Sequence, residues 1–538
     1  MADAIVVGAG PNGLVAANLL ADRGWDVLVV EAASEPGGAV RSAELTGQPG
    51  FVHDVFSAFY PFAVASPAIR GLDLEAHGLQ WCHGRYAVAH PASDGTCVVL
   101  SPRIEETMAS VDAFAPGDGE AWRRLFGIWE RVGTHVVEAL VTPFPPVRPS
   151  LRIAAKLGPD VVRFARLLAL PMRRLAEEEF RGAGAARLIA AHAAHADLPP
   201  EVPPSGAFGW VLAALGQEHG FPTPRGGAGE LTAALVRRLQ ARGGTLRCDA
   251  PVTRILVRGR TATGVEVAGG ERIAARRAVL ADVGAPVLYR DLVGAEHLPS
   301  KLLADLERFQ YDWATVKVDW ALDAPIPWAA EPAREAGVIH VADDIDELTM
   351  GGAQIAMGLL PAKPFLVMGQ YATVDPTRSP PGTDTAWAYT HVPRAVRGDA
   401  GGEGLTGAWA DGDGERLAER IEARIEALAP GFRDAIRGRH VLTPPDFERA
   451  DPNLVLGSMH AGTAQLHQQA IFRPTPGRGR PETPVAGLYL ASASAHPGGG
   501  VHGGPGANAA RAVLGAEMRR RLSSPAGWSP RGPRPRRS

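Results

Sequence analysis

The chain has 538 residues, 55 basic against 58 acidic, with 46% hydrophobic and 21% charged residues. That length is a prior for roughly three domain-sized units, and the balanced charge excludes a global attraction to nucleic acid. The cysteines, Cys82, Cys97 and Cys248, are scattered and form no C-x-x-C pair. This excludes a disulfide scaffold, a zinc ribbon and a dithiol redox site, and three separate reduced thiols are expected.

Strand-like residues begin at Ala4, which leaves no room for a leader. No apolar run reaches ~18 residues. A cytoplasmic chain without a membrane-spanning helix is therefore expected. Ile5-Val6-Val7 reads as a buried strand, Gly8 to Gly13 as a turn, and Leu14 to Arg23 as a helix ended by Gly24. Val27 to Val30 is a second strand, with Glu31 at its end. The stretch Arg148 to Arg174 carries Arg148, Arg152, Lys156, Arg163, Arg166, Arg173 and Arg174 between apolar residues. It reads as a surface helix, either packed on the protein or resting on anionic lipid.

A second α/β stretch comprises a helix over Glu230–Arg242 and strands over Thr245–Cys248, Val252–Val257, Gly264–Val267 and Ala278–Ala281. Further on, Ala314–Ala321 is strand-like. Its polar Thr315, Lys317 and Asp319 alternate with Val316, Val318 and Trp320, so the polar three share one face. Gly487 to Ala491 is a strand, a glycine-rich loop follows, and a helix runs from about Ala507 to Leu522. The Pro-, Arg- and Ser-rich tail, 523–538, is expected to be disordered. The simplest organisation is an α/β fold in which 1–70, 222–290 and 481–522 form one discontinuous nucleotide-binding domain. The insertions 71–221 and 291–480 would then build an interleaved α+β substrate domain.

Three motifs carry chemistry. In Gly8-Ala9-Gly10-Pro11-Asn12-Gly13 the glycines permit the tight turn, backbone approach by a pyrophosphate and close helix–strand packing. The helix N-terminus then faces the phosphates, and Glu31 stands where the adenosine ribose needs an acceptor. Glu35-Pro36-Gly37-Gly38-Ala39-Val40-Arg41 adds a close-approach loop and an arginine within reach of phosphate. The third motif is the run from Ala495 to Ala510. Its His496, Pro497, Gly499, Gly500, Val501, Gly503 and Gly504 are expected to let the backbone come very close to something flat or anionic in the cofactor, with the following helix directing positive charge there. Val252, at the start of its strand, is counted with the cofactor-binding residues.

In this order the three motifs resemble the carotenoid/retinoid oxidoreductase family, which includes phytoene desaturases. Phe472-Arg473-Pro474 and Ala16-Ala17 strengthen the resemblance, and one branch of the family matches best. That branch tends to carry Cys-Gly-Ser-Gly before its His-Pro, where Ala491-Ser492-Ala493-Ser494 stands here. The resemblance implies a glutathione-reductase-type FAD-binding fold, FAD as cofactor, and dehydrogenation or isomerisation of a small or lipid-like substrate. Lys317 resembles the lysine that holds a water against flavin N5 in related amine oxidases; the other reading is a solvated strand face. Hydride would pass to flavin N5 and onward to oxygen or a quinone. The alternatives are a flavin-dependent isomerase or saturase and a non-catalytic flavoprotein. His53, His83, His90, His460 and His467 show no metal-ligand spacing.

Overall fold

A computed structural model describes residues 1–523. The expected disordered tail lies outside the described residues except for Ser523, which ends the last helix.

The chain opens with β1 (Ala2–Val7), α1 (Pro11–Ala21) and β2 (Val27–Val30). Pro11 suits the first turn of α1, where an N–H would have no helical partner. α1 is buried almost all round, which explains why its apolar residues form no narrow stripe. The chain then leaves through β3 (Tyr86–Pro91) and β4 (Cys97–Leu100) into helices α2 (Asp118–Leu140), α3 (Val147–Leu157), α4 (Val161–Ala169), α5 (Ala183–Ala193) and α6 (Ser205–His219). It returns by α7 (Gly229–Ala241) to β5 (Thr245–Arg247), β6 (Val252–Arg258), β7 (Thr261–Val267) and β8 (Arg272–Ala281). A second excursion supplies β9 (Ala314–Leu322), β10 (Ala336–Val341), β11 (Leu366–Gln370), β12 (Asp384–Val392), α8 (Asp413–Leu428) and β13 (Ile436–Leu442). β14 (Leu488–Leu490) and α9 (Gly504–Ser523) close the fold.

Two seven-stranded sheets result. The first has the order β6-β7-β8-β1-β2-β5, with β14 beside β8. Its β5, β2, β1, β8 and β14 pair in parallel. The second has the order β13-β9-β12-β11-β10-β3-β4, so both long insertions contribute to it. One of its faces packs Val316, Val318 and Trp320 with Leu417, Ile421 and Ile425 of α8. The opposite face packs Val88, Val338, Val367 and Trp387 with helices α2 to α6.

Two expectations change. The reading of Thr315, Lys317 and Asp319 as a solvated face fails: all three are buried, because the helical layer covers that side of β9. The basic stretch 148–174 is three helices rather than one, α3, α4 and Met172–Glu179. Gly158-Pro159 and Pro171 divide it, as helix-breaking residues do. Cys82, Cys97 and Cys248 are free. Among the described residues no helix is long and apolar enough to cross a membrane.

Candidate functional site

The first part of the site lies at the C-terminal ends of β1 and β2. Gly8 has φ of +93°, and a Cβ at Gly13 would lie 2.2 Å from the Gly8 carbonyl oxygen, so strand and helix meet at a spacing only glycine allows. The Gly37 N–H donates to the Ala9 carbonyl at 3.0 Å. Gly38, with φ of +53°, lies so close that its Cβ would be 3.2 Å from Gly10 Cα. The two glycine motifs therefore form one cradle. Glu31 accepts the Ala9 N–H at 2.6 Å and the Ala33 N–H at 2.9 Å. The Asp249 and Ala250 N–H groups bond the Ala33 and Glu31 carbonyls, which brings the start of β6 and Val252 to the same edge. Arg41 donates to the Gly38 carbonyl at 3.0 Å and the Ala450 carbonyl at 3.0 Å. It braces the cradle rather than projecting from it.

Asp282, just after β8, escaped the sequence reading. α1 has no capping side chain at Gly10. Instead Asp282 accepts the Gly13 N–H at 2.7 Å from 269 residues away. Burial pushes this carboxyl up to about 7 against the lowering effect of that bond. Burial also raises Asp451, whose carboxylate lies 3.4 Å from where a Gly38 Cβ would be. The sequence signal was an aspartate directly after a buried strand, Ala278–Ala281.

The second part is the C-terminal loop. α9 packs along α1 so tightly that a Gly506 Cβ would lie 1.9 Å from the Asn12 carbonyl oxygen. The first turns of the two helices therefore stand side by side. Gly503 has φ of +65°, and a Cβ there would lie 2.8 Å from Val15 Cγ2; a Cβ at Gly504 would lie 3.0 Å from His502 Nδ1. The Gly504 N–H donates to His502 Nδ1, and burial holds that imidazole at about 4, neutral near pH 7. His496 Nε2 reaches the Thr142 carbonyl at 3.0 Å, beyond the end of α2. Pro497 lies against Gly504, and Val501 packs on the nucleotide-side core. A Gly499 Cβ would lie 2.6 Å from His460 Cα, and Gly500 has φ of +107°. Buried Arg473 spends its donors on the His460, Gly462, Thr463 and Ala493 carbonyls, tying this loop to residues 460–463.

The third part is the helix-covered face of the second sheet. Cross-strand register places Thr315 opposite His391, Lys317 opposite Tyr389 and Asp319 opposite Trp387. Lys317 Nζ pairs with Asp319 and donates to the Asp54 carbonyl at 2.9 Å. The Asp54 carboxylate in turn takes Arg378 at 2.8 Å and the Tyr371 hydroxyl. Trp387 Nε1 donates to that hydroxyl at 3.0 Å, and Phe59 stacks on Tyr371 at 5.6 Å. Because Asp54 also accepts the Ala228 N–H at 2.7 Å, this charged hub ties the second sheet to the start of α7.

Sequence reasoning also missed an Asp–His pair and a histidine row. Buried Asp312 accepts from His460 Nδ1 at 3.1 Å and from the Met459 and His460 N–H groups at 2.9 and 3.1 Å. Burial opposes its ionisation, but these bonds bring it down to about 2. Burial likewise opposes the His460 charge, and the Asp312 contact outweighs it, so His460 is raised. His90, His192, His195, His340 and His391 gather on the same sheet face from four elements and the turn after α5. No sequence spacing could show this. Among the described residues no group of His, Cys, Asp and Glu is arranged to hold a metal ion.

The residues present fit a dinucleotide. The glycine cradle has no room for side chains, and Asn12 Oδ1 and Asn508 Nδ2 are buried at its helix termini without partners. The fold and this cradle define an FAD-dependent oxidoreductase. Residues 6–72 match the NAD(P)-binding Rossmann-like domain and residues 166–514 match the flavin containing amine oxidoreductases. The chain belongs to the flavin-containing amine oxidoreductase family. It is 28% identical to mouse (Mus musculus) pyridine nucleotide-disulfide oxidoreductase domain-containing protein 2, over 95% of this chain and 93% of that protein. It is 26% identical to the phytoene desaturase (lycopene-forming) of Pseudescherichia vulneris, over 94% and 96%. A solved structure of putrescine oxidase shares the fold with a TM-score of 0.59 at 17% identity, covering 96% of this chain and 99% of that one.

Proposed function

We propose that this chain dehydrogenates a small or lipid-like organic substrate held between the FAD cradle and the helix-covered face of the second sheet. The observation that carries this reading is the buried Lys317–Asp319–Asp54–Arg378 hub with Tyr371, Trp387 and Phe59. Such a costly polar and aromatic cluster in an interior suits a reaction chamber better than a packing core. Residues 1–70, 222–290 and 481–522 serve the cofactor and 71–221 with 291–480 the substrate, with Asp54 and Phe59 of the first segment reaching the substrate side. The phytoene desaturase relatives support an apolar substrate body.

Gly8, Gly10, Asn12, Gly13, Gly37 and Gly38 would hold the pyrophosphate, Glu31 the adenosine ribose and Val252 the adenine edge. The 496–504 loop would close over the ring. Bound FAD would supply a two-electron acceptor for dehydrogenation of a substrate C–H bond, with the proton from the adjoining atom left for a basic group of the chain to take up. Oxygen or a quinone would serve as the final electron acceptor. Lys317 holds its ammonium on Asp319 and the Asp54 carbonyl, so it serves as a fixed positive charge and donor rather than a free base. His460, oriented by Asp312, can take up or release a proton. The exposed Val147, Leu151 and Val162 on α3 and α4, beside Arg148 and Arg163, form a surface suited to anionic lipid, from which an apolar substrate would enter.

The test is anaerobic mixing of the FAD-loaded protein with a panel of polyenes, terpenes, amines and alcohols. Bleaching of the flavin by one class identifies the substrate. Retention of oxidised flavin against every class, by protein that is still reduced by dithionite, would refute the dehydrogenase reading.

A further inference from the structure

The histidine row has no role in the hub described above. His195 Nε2 lies 2.7 Å from His340 Nε2. The His340 ring centroid is 4.8 Å from that of His195, 5.1 Å from His192 and 5.9 Å from His90. Tyr389 joins the row to His391 at 5.6 Å. Register places His340 beside Val367, Val367 beside Tyr389, and Tyr389 beside Lys317. The row thus continues along the face that carries Lys317 and Trp387. At its near end, His391 and His195 both feel the charge of His460, the residue packed against Gly499.

These rings are poorly satisfied. His90 Nδ1, His192 Nε2, His340 Nδ1 and the Thr315 hydroxyl are buried with no hydrogen-bond partner, and His391, opposite Thr315, has only the backbone of His195 and Ala314 beside its ring. Four such atoms would cost a large share of the net stability of a domain if nothing ever met them. A structural core would place phenylalanine or leucine there at no such cost. A metal is not the answer, since no ligand geometry is present among the described residues. A permanent charge is not the answer either. Burial lowers all five imidazoles, so they are neutral near pH 7, and the nearby ions Lys317 and Asp312 already have partners. A neutral imidazole offers one donor and one acceptor, which matches a hydroxyl or carbonyl oxygen. Trp387, Tyr389 and Phe365 supply apolar walls between the polar edges.

We infer that the substrate carries an uncharged hydroxyl or carbonyl group, recognised by His340 and His391, and is not a plain hydrocarbon. This rests on the sheet face being the substrate wall.

Farnesol and farnesene share a similar isoprenoid skeleton, and the alcohol adds a hydroxyl. Each is titrated into the FAD-loaded full-length protein, and binding is read from the perturbed flavin spectrum. Farnesol should bind at least tenfold more tightly than farnesene. In His340→Phe and His391→Leu that ratio should fall to within twofold, with farnesene affinity unchanged. Free of ligand, His340→Phe should melt below the wild type because it strips buried His195 Nε2 of its partner, and His391→Leu, which loses only contacts to backbone, should melt closer to the wild type. Equal binding of the two probes by the wild type, no spectral response to either, or an undiminished ratio in both variants would each overturn the inference. Should the variants not fold, the wild-type ratio alone decides. Colourless protein would instead overturn the FAD-cradle reading, whereas yellow protein without an alcohol preference overturns only this one.

Discussion

The glycine cradle and the helix-covered face of the second sheet are built on opposite plans. The cradle is made of backbone: glycines at 8, 13, 37 and 38 remove side chains so that main-chain atoms meet at distances a Cβ would forbid. Its glycines lie within two short stretches of sequence, to which Asp282, Asp451 and Asn508 are brought from far along the chain. The sheet face is made of side chains: Asp54, Lys317, Arg378, Tyr371 and a row of histidines, gathered from residues hundreds of positions apart. A backbone site tolerates almost no added volume and is indifferent to side-chain polarity. A side-chain site tolerates changes of shape but is governed by whether each buried polar group keeps its partner.

The largest effect should follow from breaking the cradle. Gly13→Ala places a Cβ 2.2 Å from the Gly8 carbonyl oxygen and 3.1 Å from the Asp282 carboxylate. α1 would have to separate from β1, with a loss of more than about 3 kcal/mol. Purified protein should be colourless and melt well below the wild type. A yellow Gly13→Ala protein with a normal melting point would show that the tight turn is not needed for the nucleotide.

The next effect belongs to the side-chain plan. Lys317→Met leaves Asp319 buried and unpaired, and burial already raises that carboxyl. Breaking a buried pair of this kind costs about 3–5 kcal/mol, whereas replacing both members together costs far less. Lys317→Met with Asp319→Leu should therefore recover most of the lost stability by chemical denaturation, while FAD content stays normal throughout. If the double variant is as unstable as the single one, the two residues do not act as a pair.

These cases show which features were legible in the sequence. The β-α-β opening, both glycine motifs and the strand before the last helix were readable because their physics is local: a turn, a buried strand and a helix terminus. The second sheet was readable only as one strand-like segment. Lys317 was singled out, yet its period-2 polar pattern suggested a wet face, because nothing local announces that helices from 118–219 cover β9. His90 and His340 are 250 positions apart, and Asp312 and His460 are 148 positions apart. Such partners are chosen by strand order, which a single sequence does not encode in any local pattern. Asp282 stands between the two cases: its strand was found, but not its return to the N-terminus of α1.

Asp282 also gives a pH test of the cradle. Burial raises it from 3.8 to about 7, so the folded state holds a proton that the unfolded chain releases. Between those two values stability falls as pH rises, by at most about 1.4 kcal/mol per pH unit. Above pH 7 the ionised carboxylate would also repel a pyrophosphate bound at the N-terminus of α1, so FAD affinity should weaken there. Asp282→Asn keeps the shape and removes the proton, and should flatten both profiles. An FAD affinity that varies with pH in the same way for wild type and Asp282→Asn would remove this carboxyl from the cofactor site.

The smallest expected effect on the fold lies outside both plans, on α3 and α4. The basic residues of this stretch suggested a strongly cationic surface, but the structure reduces that charge. Arg152 pairs with Glu138, Arg166 with Glu178, Arg173 with Glu201 and Asp346, and Arg174 with Glu177 and Glu178. Arg148, Lys156 and Arg163 make no ion pair among the described residues. Around them Val147, Leu151 and Val162 are 56%, 65% and 73% exposed, while Leu157, Phe164 and Leu167 on the other side of the same helices are buried. Binding to a membrane would then depend on apolar insertion as much as on charge. Leu151→Ser with Val162→Ser should change stability by no more than about 0.5 kcal/mol, as exposed substitutions do. It should nevertheless lower co-sedimentation with vesicles containing anionic phosphatidylglycerol several-fold. High salt should release the wild type from those vesicles by screening the exposed charges, and neutral vesicles should retain less of it. Equal retention of wild type and double variant on anionic vesicles would show that α3 and α4 form an ordinary solvated surface, and that the substrate reaches the second sheet by another route.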